Sequence, residues 1–268
     1  MKIYFRSLFF GAIFGLIASL ANAAGGFSSA SSSAKEVAKF EPEQIISFAK
    51  KVERSLANKG ARVAILARMG RPAAELPEGM HFTHVAFAIY SEITTNDGRQ
   101  VQGYAIHNLY QRDDHPDVSD LVQDYPVDFF AGVAQLEAGI IIPSPELQKR
   151  LLEVISSPIY KALHGPKYSV IANPYTLGKQ NCTEFVLDIL NAAIYETGDV
   201  KIIKANEKAY FVAQQVNVNP FKLLLGSMFA AEVSTVDHPG TPVTATFEKI
   251  AEYITKYDTG STIIEVLP

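Results

Sequence analysis

The stretch from Phe82 to Tyr110 constrains the fold more than any other part of the chain. Phe82 to Tyr90 (FTHVAFAIY) is dense in β-branched and aromatic residues, Asn96-Asp97-Gly98 is a turn tripeptide, and Gln102 to Tyr110 (QGYAIHNLY) returns in the same style. Two such runs around an Asn-Asp-Gly turn predict an antiparallel hairpin, so the chain must contain an antiparallel sheet. If the turn is centred on Asn96 and Asp97, residues whose numbers sum to 193 lie opposite each other. His107 then pairs with Ala86 and stands diagonal to His84 on one face. A slip of one residue would give that place to Asn108.

Helical patterns surround the hairpin. Glu41 to Leu56 carries Ile45, Ile46, Phe48, Ala49, Val52 and Leu56 on one broad stripe. Val63 to Leu66 is a short buried strand, followed by a Gly/Pro-punctuated loop from Met69 to Gly79, with Arg68 and Arg71 near its start. Gly139 to Ile142 is another short strand. Ser144-Pro145-Glu146 opens a helix with an N-cap hydroxyl, Pro at the first position and an acid in the first turn. Tyr168 to Ile171 is short and extended, and further helical patterns fall near Phe221–Ala231 and Thr244–Tyr257. Helices packed against an antiparallel sheet make the expected class α+β.

The N-terminus is read separately. Lys2 and Arg6 precede an apolar run from Leu8 to Leu20, and Ala21-Asn22-Ala23 is a small-x-small cleavage signal. Residues 1–23 are therefore expected to be a signal peptide, and 24–38 a Gly/Ser/Ala-rich flexible leader. The apolar run is too short to span a bilayer comfortably, so no integral span is expected after cleavage. Residues 39–268 are taken as one domain, since single domains of about 100–200 residues are common and larger ones occur. The expected location is the periplasm or the outside of the cell.

Without residues 1–23, 22 basic residues stand against 28 acidic ones, a formal charge of −6. That balance does not suit nucleic acid or an anionic membrane surface, and neither is expected as a partner. The chain has one cysteine, which excludes an internal disulfide framework, a multi-cysteine zinc ribbon and an iron–sulfur cage. In an oxidising compartment a lone thiol is a liability unless it is buried or used.

Cys182 follows Asn181, a good N-cap, and precedes Glu184, which completes a box-like start to a helix carrying Phe185, Val186, Ile189, Leu190, Ala193 and Ile194. At such a helix start, free amides and the helix dipole favour the thiolate. A thiol nucleophile benefits from a His base held by a third polar group. Of the six histidines, His84 and His107 are the pair that the hairpin could bring together.

The order of Thr83-His84-Val85, His107, Tyr168 and Asn181-Cys182-Thr183-Glu184-Phe185-Val186 resembles circularly permuted NlpC-type papain-like enzymes, a group that includes lecithin:retinol acyltransferase and bacterial thiol hydrolases. That likeness covers roughly Ala61 to Tyr195, leaving the C-terminal helices as family-specific elaboration. Most of the chain beyond residue 23 also resembles an exported bacterial family known only as domain of unknown function number 2145. The resemblance implies a permuted papain-like fold with Cys182 as nucleophile, His84 as base and His107 (or Asn108) as the third polar group. It also implies an oxyanion held by the backbone N–H of Cys182, with Tyr168 and Asn181 as lesser contributors. Arg71 is a further candidate, for holding a substrate carboxylate.

The implied activity is that of an exported thiol hydrolase or acyltransferase. It would act on an amide, ester or thioester of the cell envelope, a cell-wall peptide or a lipid acyl group, through an acyl-enzyme on Cys182. The competing expectation is a non-catalytic envelope protein binding a peptide or lipid in the same groove. No cofactor and no metal are expected. His81 and His84 would point to opposite faces of a strand, and a zinc site of His84, His107 and Cys182 is the less economical use of those groups. The acidic stretch Asp113, Asp114, Asp117, Asp120 and Asp124 lacks EF-hand spacing and is read as a solvated loop.

Overall fold

Strand β1, Val63–Met69, is buried along its whole length. Its apolar run is continuous rather than alternating because helices cover both faces of the sheet at this point. The structure, a computed structural model, describes residues 39–95, 97–112, 114–216 and 234–268. The expected signal peptide, leader and helical pattern near 221–231 lie outside the described residues.

The hairpin forms, with longer arms than its apolar cores predict: β2 is His84–Thr94 and β3 is Gln100–Gln111. Gly98 takes a left-handed φ of 81° in the turn, where its amide donates to Thr95 O at 2.8 Å. The register differs from the expected one. Phe87 lies opposite His107 and Ala88 opposite Ile106, so paired numbers sum to 194 and not 193. Because side chains alternate in period two, that single step moves His107 to the opposite face from His84.

The remaining strands are β4 (Ser119–Asp124), β5 (Gln135–Ile142), a two-residue pair of β6 (Gln214–Gln215) with β7 (Val243–Thr244), and β8 (Thr262–Val266). The main sheet has six strands in the order β4-β3-β2-β1-β5-β8, antiparallel throughout. Seven α-helices occur among the described residues: α1 (Pro42–Asn58), α2 (Pro126–Ala131), α3 (Pro145–Ile155), α4 (Pro158–Ala162), α5 (Cys182–Ile194), α6 (Val200–Tyr210) and α7 (Phe247–Tyr257). None of the described helices is long and apolar enough to cross a membrane.

Two cores result, one on each face. Ala64, Leu66, Ala86, Ala88 and Ile106 pack with Ile45, Phe48 and Val52 of α1 and Phe129 and Phe130 of α2. Val63, Ile65, Val85, Phe87 and Leu109 pack with Leu151 of α3, Phe185 and Ile189 of α5, and Phe247 and Ile250 of α7. Burying each such side chain fully contributes about 1.5–3 kcal/mol. Ile46, placed by periodicity on the apolar stripe of α1, is instead exposed. Strand β8 and helix α6 have no strong sequence signature, and β8 closes the sheet against β5.

Candidate functional site

Asn181 caps α5 as its sequence predicts: its Oδ1 accepts the amide of Glu184 at 2.9 Å and the Thr183 hydroxyl at 2.8 Å. Its amide donates to Val170 O at 2.8 Å and to Thr244 Oγ1 at 3.1 Å, tying the helix start to β7. The expected return bond from Glu184 is replaced: that carboxylate turns to Lys204 of α6 at 2.8 Å. Cys182 is the first helical residue, where the free amides and the dipole favour thiolate. The sequence suggested an amphipathic α5, but residues 182–193 are buried all round because α3, the sheet and α6 enclose the helix. The Cys182 side chain is accordingly 3% exposed, within the core that holds Val85 and Leu109.

His84 is the first residue of β2 and is fully buried, on the sheet face turned toward α2. Its ring stacks on Tyr110 at 4.8 Å and meets Phe129 at 5.6 Å. Its Nε2 lies 3.0 Å from Asn108 Oδ1. The Asn108 amide donates to Asp124 Oδ1 at 2.8 Å and to Ile106 O at 3.2 Å, so the carbonyl oxygen is the end that faces the imidazole. A carbonyl only accepts, so Nε2 carries the proton and Nδ1 holds the lone pair. Nδ1 is buried and has no hydrogen-bond partner among the described residues. Tyr110 OH donates to Asp124 Oδ2 at 2.8 Å and closes the relay.

Charge around the ring decides its protonation. Arg68 pairs with His84 across β1 and β2, with its guanidinium 5.0 Å from the Phe129 ring and 5.7 Å from the Tyr110 ring. Burial first, then this guanidinium, hold His84 well below the ordinary histidine range, against the Asn108 bond that raises it. The imidazole is therefore neutral at physiological pH. Burial pushes the Asp124 carboxyl up to about 6, against the hydrogen bond from Tyr110 and the charge of Arg68. Burial likewise raises the Tyr110 phenol, against the charge of Arg68, and Cys182 is near enough to act on it in the same direction as burial.

The other candidates fall as follows. His107 projects to the α5 side, its ring 6.1 Å from Tyr160, which in turn meets Phe185 at 5.1 Å. It does not join His84, and a zinc site built on both histidines is not formed. Tyr168 is buried and bridges to Gln180, two residues before Cys182, so it does reach the helix start. Its amide donates to Asp117 O at 2.7 Å, and Ser119 of β4 pairs with Gln111 at the end of β3. Through these contacts the start of α5 is tied to the end of the sheet where β2 begins. Arg71 is half-buried in the loop after β1.

Asp124, Arg68 and Tyr110 were not singled out by sequence. Arg68 is a lone charge in an otherwise apolar strand, which is a usable signal. Asp124 was read as part of a solvated acidic loop, but it lies in β4 and turns inward. Asp113 lies outside the described residues.

A second buried cluster sits beneath α5. Lys204 Nζ lies 2.6 Å from Asp188, 2.8 Å from Glu184 and 3.1 Å from Glu207. Burial opposes the ammonium, yet the three carboxylates outweigh it and raise Lys204 well above its usual range. Burial pushes Glu184 up to about 8, against the attraction of Lys204.

The architecture is thus mixed α+β, a six-stranded antiparallel sheet between helical layers with a buried His–Asn–Asp relay at one end. The family model described as "Uncharacterized protein conserved in bacteria (DUF2145)" matches residues 55–254. The chain belongs to that family. No curated protein and no solved structure matches it.

Proposed function

We propose that the protein is an exported cysteine-dependent hydrolase or acyltransferase of permuted papain-like design, with Cys182 as nucleophile and His84 as base. The observation that carries the reading is the His84–Asn108–Asp124 relay, which leaves a neutral imidazole with a buried, unpartnered Nδ1 lone pair. A structural histidine normally satisfies both nitrogens when buried. Asn108 takes the orienting role that the expected register assigned to His107.

In this reading the Cys182 thiol proton passes to His84 Nδ1 as Sγ bonds to the substrate carbonyl carbon. The carbonyl electrons move to oxygen, and the resulting anion is held by the Cys182 amide at the helix start. Collapse expels the amine, alcohol or thiol, which takes the proton back from Nδ1. The thioester left on Cys182 is then cleaved by water or by an acceptor nucleophile, activated at the same nitrogen. Cys182 packs in the core on the α5 side while His84 opens β2 on the α2 side. In this reading the two therefore meet around the end of the sheet where α5 begins, and their hydrogen bond tightens when substrate binds. Cell-envelope peptides, with lipid acyl groups as the second choice, are the substrates consistent with export.

The test is the rate of Cys182 alkylation by iodoacetamide across pH 5–9, with acyl-adduct detection by intact mass after exposure to envelope extract. Wild type should react with a low-pH profile, and His84→Ala should slow alkylation at least tenfold near pH 7. A profile with an ordinary thiol midpoint, identical in both proteins, would overturn the assignment.

A further inference from the structure

On the opposite side of β1 from the relay's neighbours β3 and β4, three side chains from distant parts of the chain converge. His81 comes from the loop before β2, Glu137 from β5 and Glu265 from β8. Gly139 lies opposite Glu265 in the β5–β8 ladder, so Glu137, two residues away, shares that face and stands diagonal to Glu265. One potential ligand atom from each residue lies within 4.8 Å of the other two. His81 Nε2 hydrogen-bonds Glu137 Oε1.

The disposition of Glu265 is what a simple ion pair does not explain. One protonated His81 would neutralise Glu137 alone. Glu265 is exposed and free to turn into water, yet its carboxylate lies within 4.8 Å of the Glu137 and His81 ligand atoms. Two carboxylates this close repel unless a proton or a cation lies between them, and His81 adds the nitrogen that a metal ion would take.

The imidazole is also held in place. His81 N and Phe82 N both donate to Glu248 Oε1 at 3.2 Å, and the His81 ring packs edge-on against Phe82 at 4.7 Å. Phe82 closes in turn on Phe247 at 5.0 Å over Gly139, where an added Cβ would come within 2.6 Å of the Phe82 ring. Glycine at 139 thus lets the loop carrying His81 sit directly over β5.

We propose that His81, Glu137 and Glu265 form a binding site for a borderline divalent cation of the Zn²⁺ type. One nitrogen and two carboxylate oxygens suit such an ion, whereas an all-oxygen set would suit Ca²⁺ or Mg²⁺. Metal–ligand bonds near 2.1 Å place tetrahedral ligands roughly 3.4 Å apart, so an entering ion would part His81 Nε2 from Glu137 Oε1, which now hydrogen-bond, and would hold Glu265, whose oxygen lies within 4.8 Å of both. Glu265 is exposed and His81 half-buried, which leaves a fourth position to water. The ion would join the C-terminal strand to β5 and to the loop that delivers His84 three residues later.

The experiment is calorimetric titration of the full chain with ZnCl₂, MgCl₂ and CaCl₂, alongside thermal unfolding in each. One equivalent of zinc should bind and raise Tm, with Mg²⁺ and Ca²⁺ failing to do either at equal concentration. His81→Ala and Glu265→Gln, both at exposed or half-exposed positions, should each weaken zinc binding at least tenfold while retaining the wild-type circular dichroism. Cys182→Ser should bind zinc as wild type does. Absence of zinc binding, equal binding of calcium, or zinc binding that persists in His81→Ala and disappears in Cys182→Ser would overturn the site.

Discussion

The two buried polar clusters solve the problem of burial in opposite ways. Beneath α5, three carboxylates surround one ammonium, and the excess negative charge is met by protons retained on Glu184 and Glu207, both raised chiefly by burial. At the end of the sheet, Asn108, Asp124 and Tyr110 form a chain of directed hydrogen bonds that ends on one side of an imidazole and leaves the other nitrogen unused. The first arrangement locks α6 against α5. The second holds a lone pair ready at a stability cost, because an unpaired buried polar atom forfeits about 1–3 kcal/mol of solvation. Glu184 Oε2 and Glu207 Oε2 also lack hydrogen bonds, but the charge of Lys204 lies beside both carboxyl groups, whereas His84 Nδ1 keeps a basic lone pair that no described group engages.

The sharpest way to break the comparison is to remove the ammonium. Lys204→Met should cost about 3–5 kcal/mol of stability at pH 8, because it strands buried carboxylates. The pH dependence fixes the cause. The folded pKa of Glu184 is about 8 against an ordinary 4.5, so the native state holds the extra proton between those values. Stability from this group is therefore present at low pH and lost as pH rises toward 8. Urea unfolding at pH 5 and pH 8 should show a larger loss for Lys204→Met at pH 8, and an equal loss at both would contradict the ion-cluster account.

A smaller effect is expected at the relay. Asn108→Ala removes the acceptor of His84 and the donor to Asp124, and should cost about 1–3 kcal/mol. Asn108 raises the imidazole pKa, so its loss should depress His84 further. Because the folded His84 pKa lies below its ordinary value, the unfolded chain takes up the proton first as pH falls through about 6.5, and stability contributed by the neutral ring is lost there. Nuclear magnetic resonance titration of the His84 ring should find it neutral at pH 6 in wild type and in the variant. A normal histidine titration would show that burial and Arg68 do not control it.

The smallest change sits where the two regions meet. Asn181→Ala deletes the cap of α5 and should lower stability by about 1 kcal/mol, read from the urea midpoint. It should also slow Cys182 alkylation modestly, since a frayed first turn aims fewer amides at sulfur. A stability loss with unchanged alkylation would separate the cap from the thiol.

The hairpin, β1, α1, α3 and the start of α5 were all legible in the sequence, because each carries local signals: turn residues, apolar periodicity, or a capping residue with its following turn. The relay was half legible. His84 and Cys182 stood out, while the choice between His107 and Asn108 depended on one residue of register that the Asn96-Asp97-Gly98 turn leaves open. Asp124 was invisible because its acidic neighbours look like solvated loop, and only pairing of β4 with β3 turns it toward Asn108. Metal ligation at His81 was set aside because His81 and His84 would point to opposite faces of a strand, while Glu137 and Glu265 meet His81 only through strand pairing.

Sequence alone therefore determined the α+β class, a helix opening on the single cysteine, and a histidine at the head of a buried strand. These follow from short-range periodicity and capping, which act over a few residues. Tertiary structure decided which face His107 occupies, that Asn108 and Asp124 orient His84, and that Lys204 and Glu265 meet distant carboxylates. Those outcomes rest on strand register and layer packing, where a one-residue shift reverses every side chain at no local cost that a sequence reveals.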